Sequence, residues 1–168
     1  MQPIRMVVLL AVSSFTICSA ANALCVYKGK MYAKTTVGEE FRDSKWVVKA
    51  RVLAANSQWE GYTTDVPWTI YSLAVVQSFK GHAPDHITMF TFRDSGGFPL
   101  DKGISPNIGG EYLLFLNPVT ADPDFSEQAF PKEAYQSTEV NYSCGQSKPW
   151  SEVNASEKQE LSKLARLE

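Results

Sequence analysis

The stretch Thr69-Ile70-Tyr71-Ser72-Leu73-Ala74-Val75-Val76-Gln77-Ser78-Phe79 decides the fold class. It is rich in β-branched and aromatic residues, holds no Gly or Pro, and stops at the turn Lys80-Gly81-His82-Ala83-Pro84-Asp85. A run of this kind between turn residues reads as a strand. Its alternation slips near Val76, which predicts a β-bulge. Beyond the turn, Ile87-Thr88-Met89-Phe90-Thr91-Phe92 reads as another strand. On the N-terminal side lies Trp46-Val47-Val48-Lys49-Ala50-Arg51-Val52-Leu53. There Trp46, Val48, Ala50 and Val52 alternate with Lys49 and Arg51, so one face is expected to be buried and the other wet.

Further out, Gly96, Gly97, Pro99, Gly103, Pro106, Gly109 and Gly110 mark a long loop, and long loops in compact domains tend to carry function. Glu111-Tyr112-Leu113-Leu114-Phe115-Leu116 is a fourth strand, apolar enough to be central, and Asn117-Pro118 ends it. Residues 121–131 read as an exposed acidic excursion. A fifth, weaker strand is expected within Tyr135 to Tyr142. From Asn154 to Leu167 the period becomes helical, with Leu161, Leu164 and Ala165 on one face. Ser156 with Gln159, or Asn154 with Glu157, supplies a capping box. Five short strands and a terminal helix without βαβ rhythm predict a mainly β fold, a small barrel with a C-terminal α-helix. The strand pattern by itself is shared with sandwiches.

The N-terminus reads as a secretory signal over residues 1–23. Arg5 charges the start, Met6 to Ile17 is mostly apolar, and Ala21-Asn22-Ala23 is a cleavage site. The apolar run is shorter than the ~20 residues a bilayer span requires, so no membrane span is expected. Removal of residues 1–23 leaves about 145 residues, Leu24 to Glu168, which suits a single domain. The whole chain carries 16 Lys and Arg against 18 Asp and Glu. That near-neutral balance, without a basic run, is a poor match for nucleic acid. Two cysteines remain after cleavage, Cys25 and Cys144. Export to an oxidising compartment, extracellular or periplasmic, favours a bridge between them over two free thiols.

The order of several short pieces then resembles a known family. Cys25 comes first. Phe41-x-x-Ser44 leads into Val48-x-Ala50-x-Val52, and Tyr71-x-Leu73-x-Val75 ends in Phe79-Lys80-Gly81. A glycine-rich loop precedes Gly110-x-Tyr112-Leu113-Leu114-Phe115, and Cys144-Gly145, Trp150 and a terminal helix follow. This resembles the tissue inhibitors of metalloproteinases and the wider netrin-like group, over most of Cys25 to Leu164. The resemblance implies a five-stranded Greek-key OB-fold barrel. It also implies a secreted, non-enzymatic module that binds a protein, in the family a metalloprotease. There the first mature residue is a cysteine whose amine and carbonyl chelate the target's zinc. In this chain cleavage after Ala23 leaves Leu24 ahead of Cys25, which displaces that amine, and the additional disulfides of the animal inhibitors have no counterpart.

The candidate partner-binding residues are Leu24, Cys25 and Val26, flanked by Ser95, Gly96 and Gly97 of the glycine-rich loop. A second group is Trp59, Tyr62 and Trp68, aromatics after the first strand. Two alternatives stand beside protease inhibition. One is the same barrel recognising another extracellular or envelope protein. The other, of a different class, is a small hydrolase using His82 or His86. His82, Asp85 and His86 surround one turn, but zinc needs three or four ligands, and neither a further His nor a nucleophile elbow is present. Glu39-Glu40 and Asp122 with Asp124 read as solvated loop charges. Asn141-Tyr142-Ser143 and Asn154-Ala155-Ser156 match the glycosylation sequon. No cofactor is expected, and the chain is read as a monomer.

Overall fold

The structure, a computed structural model, describes residues 25–58, 67–93, 96–120 and 132–168. Five strands form its body: β1 (Trp46–Gln58), β2 (Trp68–Lys80), β3 (His86–Phe92), β4 (Glu111–Pro118) and β5 (Thr138–Val140). β1 pairs antiparallel with β2 and with β4, β2 with β3, and β4 with β5. β3 meets β5 in parallel at Met89 and Thr138. The circuit β1–β2–β3–β5–β4–β1 closes the sheet on itself, and closure removes the exposed edges that open sheets must protect. The fold is thus mainly β, a closed five-strand OB-fold-like barrel with a C-terminal helix, as expected.

β1 and β2 each run 13 residues, longer than their alternating patterns suggest. Their extension pairs Asn56, Ser57 and Gln58 with Ile70, Thr69 and Trp68. On β1 that extension is the polar run Asn56-Ser57-Gln58, so hydrophobic periodicity does not report it. The bulge expected near Val76 is present, because Lys49 faces Gln77 while Ala50 faces Val75. Two more slips leave Phe79 and Leu53 without a direct partner.

The barrel interior is filled by Val48, Ala50, Val52, Tyr71, Leu73, Met89, Leu100, Tyr112, Leu114 and Leu116. A second core lies outside the wall, where Val47, Phe79, Leu113 and Phe115 meet Val37 and Phe41 of α1 (Val37–Asp43) and Leu161 of α2 (Ala155–Ala165). β4 is therefore buried on both faces, as its unbroken apolar run predicts. The expectation of a wet outer face on β1 is corrected at Val47, which is fully buried beneath the helices. Only further along do Lys49 and Arg51 reach solvent, and both pair with Glu111 of β4 at 2.7 Å.

α1 is absent from the sequence expectation. It spans seven residues, opens with a Thr36/Glu39 capping box and buries Val37 and Phe41 one turn apart. At its far end Lys80 Nζ donates to the carbonyls of Phe41 and Arg42 at 2.7 and 3.0 Å, satisfying acceptors that the helix leaves free. Gly81 follows at φ +67, where a β-carbon would stand 2.7 Å from the Lys45 carbonyl. Phe79-Lys80-Gly81 thus fills the second core, caps α1 and turns the chain. α2 begins at the Asn154/Glu157 capping box, one of the two alternatives. The fifth strand is only three residues long, preceded by a 3-10 turn at Ala134–Gln136.

Candidate partner-binding edge

The residues after the disulfide cysteine form a small hairpin. Val26–Tyr27 pair with Lys30–Met31, and the turn places Lys28 and Gly29 at positive φ. Tyr32 N–H donates to the Cys25 carbonyl at 2.8 Å, which closes the hairpin base.

Its rear is anchored in three ways. Cys25 is bonded to Cys144, with Cα atoms 6.0 Å apart, so the expected bridge is present. The Tyr27 ring packs on Tyr142 at 5.1 Å between centroids. Asp43, at the end of α1, accepts from the Tyr27 hydroxyl and pairs with Lys28 at 2.6 Å. The hydrogen bonds from Lys28 and Tyr27 hold the Asp43 carboxyl below its ordinary range. Burial first, and then the bond to Asp43, push the Tyr27 hydroxyl up to about 12.

The front is apolar and open. Val26 faces Met31 across the two strands. These side chains are 52 % and 64 % exposed, and Tyr32 beside them is 53 % exposed. Large apolar groups on a tethered hairpin are unlike singly scattered surface residues.

Behind the hairpin, Glu40 of α1 is fully buried. It accepts from Thr35 Oγ1 and from the backbone N–H of Gln146, which binds α1 to the turn that carries Cys144. The reading of Glu39-Glu40 as solvated charges is corrected: Glu39 closes the capping box and Glu40 is interior.

Cys25, Val26, Gly96, Val140, Asn141, Tyr142 and Ser143 line a polar cleft of about 180 Å³. The fold therefore brings Cys25 and Val26 to one cleft with Gly96 of the glycine-rich loop. Gly97 packs tightly, since a β-carbon there would lie 1.7 Å from the Phe92 carbonyl oxygen. The loop is pinned at its other end. Arg93 pairs with Asp101, and Tyr71 donates to Asp101 at 2.9 Å while accepting from the Leu100 N–H at 3.1 Å. Burial and the Asp101 bond push the Tyr71 hydroxyl up to about 12.

Leu24, Trp59, Tyr62, Ser95, Asp122 and Asp124 lie outside the described residues. Trp68 is corrected as a surface contact. It is 3 % exposed and packs with Phe90 and Ala134, because its place at the start of β2 turns it beneath the chain before β5. His82, Asp85 and His86 are all exposed, and among the described residues no group of His, Cys, Asp and Glu could hold a metal. Tyr27, Met31 and Tyr32 escaped the sequence reading, which placed Asn141 and Tyr142 only in a glycosylation sequon. Two-residue strands have no periodicity to detect, and only Lys28-Gly29 marked a turn. Among the described residues no helix is long and apolar enough to cross a membrane.

No protein-family model matches the chain, and no curated protein matches it.

Proposed function

We propose that this chain is a secreted, non-enzymatic protein-binding module whose contact edge is the hairpin that starts at Cys25. The observation that carries the reading is the exposed row of Val26, Met31 and Tyr32 on a hairpin held from behind by the Cys25–Cys144 bond and by Asp43. Preorganised apolar groups lose little entropy on binding, which is what a contact edge needs. The sequence resemblance to the tissue inhibitors of metalloproteinases suggests a secreted metalloendopeptidase as target.

A second reading keeps the edge and drops the zinc ligand. Two observations favour it: Leu24 precedes Cys25, and the Cys25 carbonyl already accepts the Tyr32 N–H. Under this reading the edge recognises another extracellular or envelope protein.

The test begins with the mature N-terminus, from intact mass of the unreduced secreted protein. Inhibition of zinc metalloendopeptidases is then compared between the parent and Val26→Asp/Met31→Asp. Both positions are exposed, so the variant is expected to keep its thermal midpoint and lose at least tenfold in inhibition. Absence of inhibition by the parent removes the protease reading. Inhibition unchanged in the variant removes the hairpin as the edge.

A further inference from the structure

We propose that Cys144 is the sulfur at which a low-molecular-weight thiol opens the Cys25–Cys144 bond, and that opening it releases the hairpin while the barrel stays closed. The consequence for partner binding rests on the reading of the hairpin as a contact edge. The site of attack does not.

The two ends of the bond differ in access. Cys25 is 3 % exposed, whereas Cys144 is open to solvent. Exchange requires a thiolate to reach one of the two sulfurs, and access decides which one is attacked. Cys144 borders a pocket of about 390 Å³ that is also lined by Tyr32, Lys34, Thr35 and Gln146, and Cys25 does not reach it. That volume lies in the range of small-molecule sites, roughly 300–1,000 Å³. Lys34 is exposed and is the only charged residue of the lining, so the pocket attracts an anionic nucleophile. The nearby acid Glu40, which accepts from Thr35 and from the Gln146 N–H, is fully buried and does not face the approach.

The chemistry balances as follows. A thiolate attacks Cys144 Sγ and forms a new S–S bond there as the bond to Cys25 breaks. The electron pair of the broken bond leaves on Cys25 Sγ, which takes a proton from water. A second thiolate then attacks the outer sulfur of the adduct, releases the small disulfide and leaves Cys144 as a thiol. Two small thiols are oxidised and the protein bond is reduced. The reverse reaction restores the bond, because the barrel keeps the turn that carries Cys144 in place.

Opening the bond acts on the hairpin first. The pairings that close the barrel and the side chains of both cores include neither cysteine. Cys25 stands at the base of the hairpin, where its carbonyl accepts the Tyr32 N–H. Without the bond, the described contacts that tie the hairpin to the body are the Tyr27 ring on Tyr142 and the two Asp43 contacts, to the Tyr27 hydroxyl and to Lys28. Lys28 is largely exposed, and an ion pair of that kind holds weakly. The row of Val26, Met31 and Tyr32 thus loses its fixed position, and with it the preorganisation that favours binding.

The probe is reduced glutathione, added without denaturant to the oxidised protein and quenched at intervals with N-ethylmaleimide. Peptide mapping without further reduction then reads which cysteine carries glutathione and which carries maleimide. The expected result is glutathione on Cys144 and maleimide on Cys25, in excess over the reverse pair by about tenfold or more. Lys34→Glu, at an exposed position, is expected to slow formation of the adduct about two- to fivefold at low salt. In the 15N-labelled protein reduced with dithiothreitol, the Tyr27 and Met31 amides are expected to move to unstructured positions while Leu114 keeps its native shift. The proposal is overturned if the reverse pair equals or exceeds the expected one, if no adduct forms without denaturant, or if Lys34→Glu leaves the rate unchanged. It is equally overturned if reduction leaves the hairpin amides in place or unfolds the barrel with them. Because no partner enters this experiment, its failure is separable from failure of the hairpin variants to lose inhibition.

Discussion

The Glu40 carboxylate occupies the space that a side chain at Gly145 would need: a β-carbon there would stand 2.0 Å from Oε1. The contact joins α1 to the residue that follows the disulfide cysteine. With the Gln146 N–H on Oε1 at 2.8 Å, it sets the height at which Cys144 holds Cys25. A fully buried acid and a glycine far away in sequence thus share one structural task behind the hairpin.

Gly145→Ala is expected to destabilise the fold by roughly 1–3 kcal/mol, the usual cost of forcing atoms into a filled interior. Thermal unfolding of the oxidised protein checks this. An unchanged midpoint would show that the Glu40 side chain can move aside.

The Glu40 carboxyl is raised above its ordinary pKa by burial first, with the charges of Asp43 and Glu39 adding to it. The hydrogen bonds from Thr35 and Gln146 oppose the shift. A raised folded-state pKa means that the native protein prefers the protonated acid. Its stabilising contribution is complete below the ordinary glutamate range and is lost as pH rises through the folded-state value. Glu40→Gln removes that dependence. The midpoint of the variant, relative to the parent, is expected to climb between pH 4 and pH 8 in a thermal scan series. Glu111 and Glu157 have lowered pKa values and act in the opposite sense, but they are common to both proteins and cancel in the difference. A flat difference would refute the assignment.

The Cys25–Cys144 bond closes a loop with a sequence separation of 119 residues. Chain-entropy reasoning for a loop of this length puts its contribution at about 5 kcal/mol, as an upper figure. Cys25→Ser/Cys144→Ser is expected to lower the urea midpoint substantially and to release the hairpin. Hydrogen exchange at Tyr27 and Met31 should then accelerate more than at Leu114, which lies in the barrel centre.

Leu161 is the one fully buried side chain of α2, set among Phe41, Phe79 and Phe115. Leu161→Ala is expected to cost about 2–5 kcal/mol through the lost contacts and the cavity left behind. Asn154→Ala, which removes the helix cap, is expected to cost about 1 kcal/mol. Chemical denaturation of both variants ranks them. A larger loss at Asn154 would mean that α2 is held by its terminus rather than by its packing.

The barrel strands were legible because their chemistry is local. The alternation of Val48, Ala50 and Val52, the slip at Val76, the unbroken run from Tyr112 to Leu116 and the helical spacing of Leu161 and Leu164 each report burial through period alone. Reading residues 1–23 as a removable signal leaves Cys25 and Cys144 to pair, and the two are bonded. α1 was not legible, since its seven residues offer a single i, i+4 apolar pair and are stable only against β4 and α2. The outer burial of Val47 was equally silent, because the helices that cover it are distant in sequence.

The sequence by itself determined the class of fold and the bonded cysteines, through periodicity, turn residues and composition. Only the tertiary structure decided which face of the hairpin after Cys25 is open. Val26 and Met31 point outward because Tyr27 is drawn inward by Tyr142 and Asp43. The Tyr27–Tyr142 contact joins residues more than a hundred positions apart in the chain, and such contacts leave no period in the sequence.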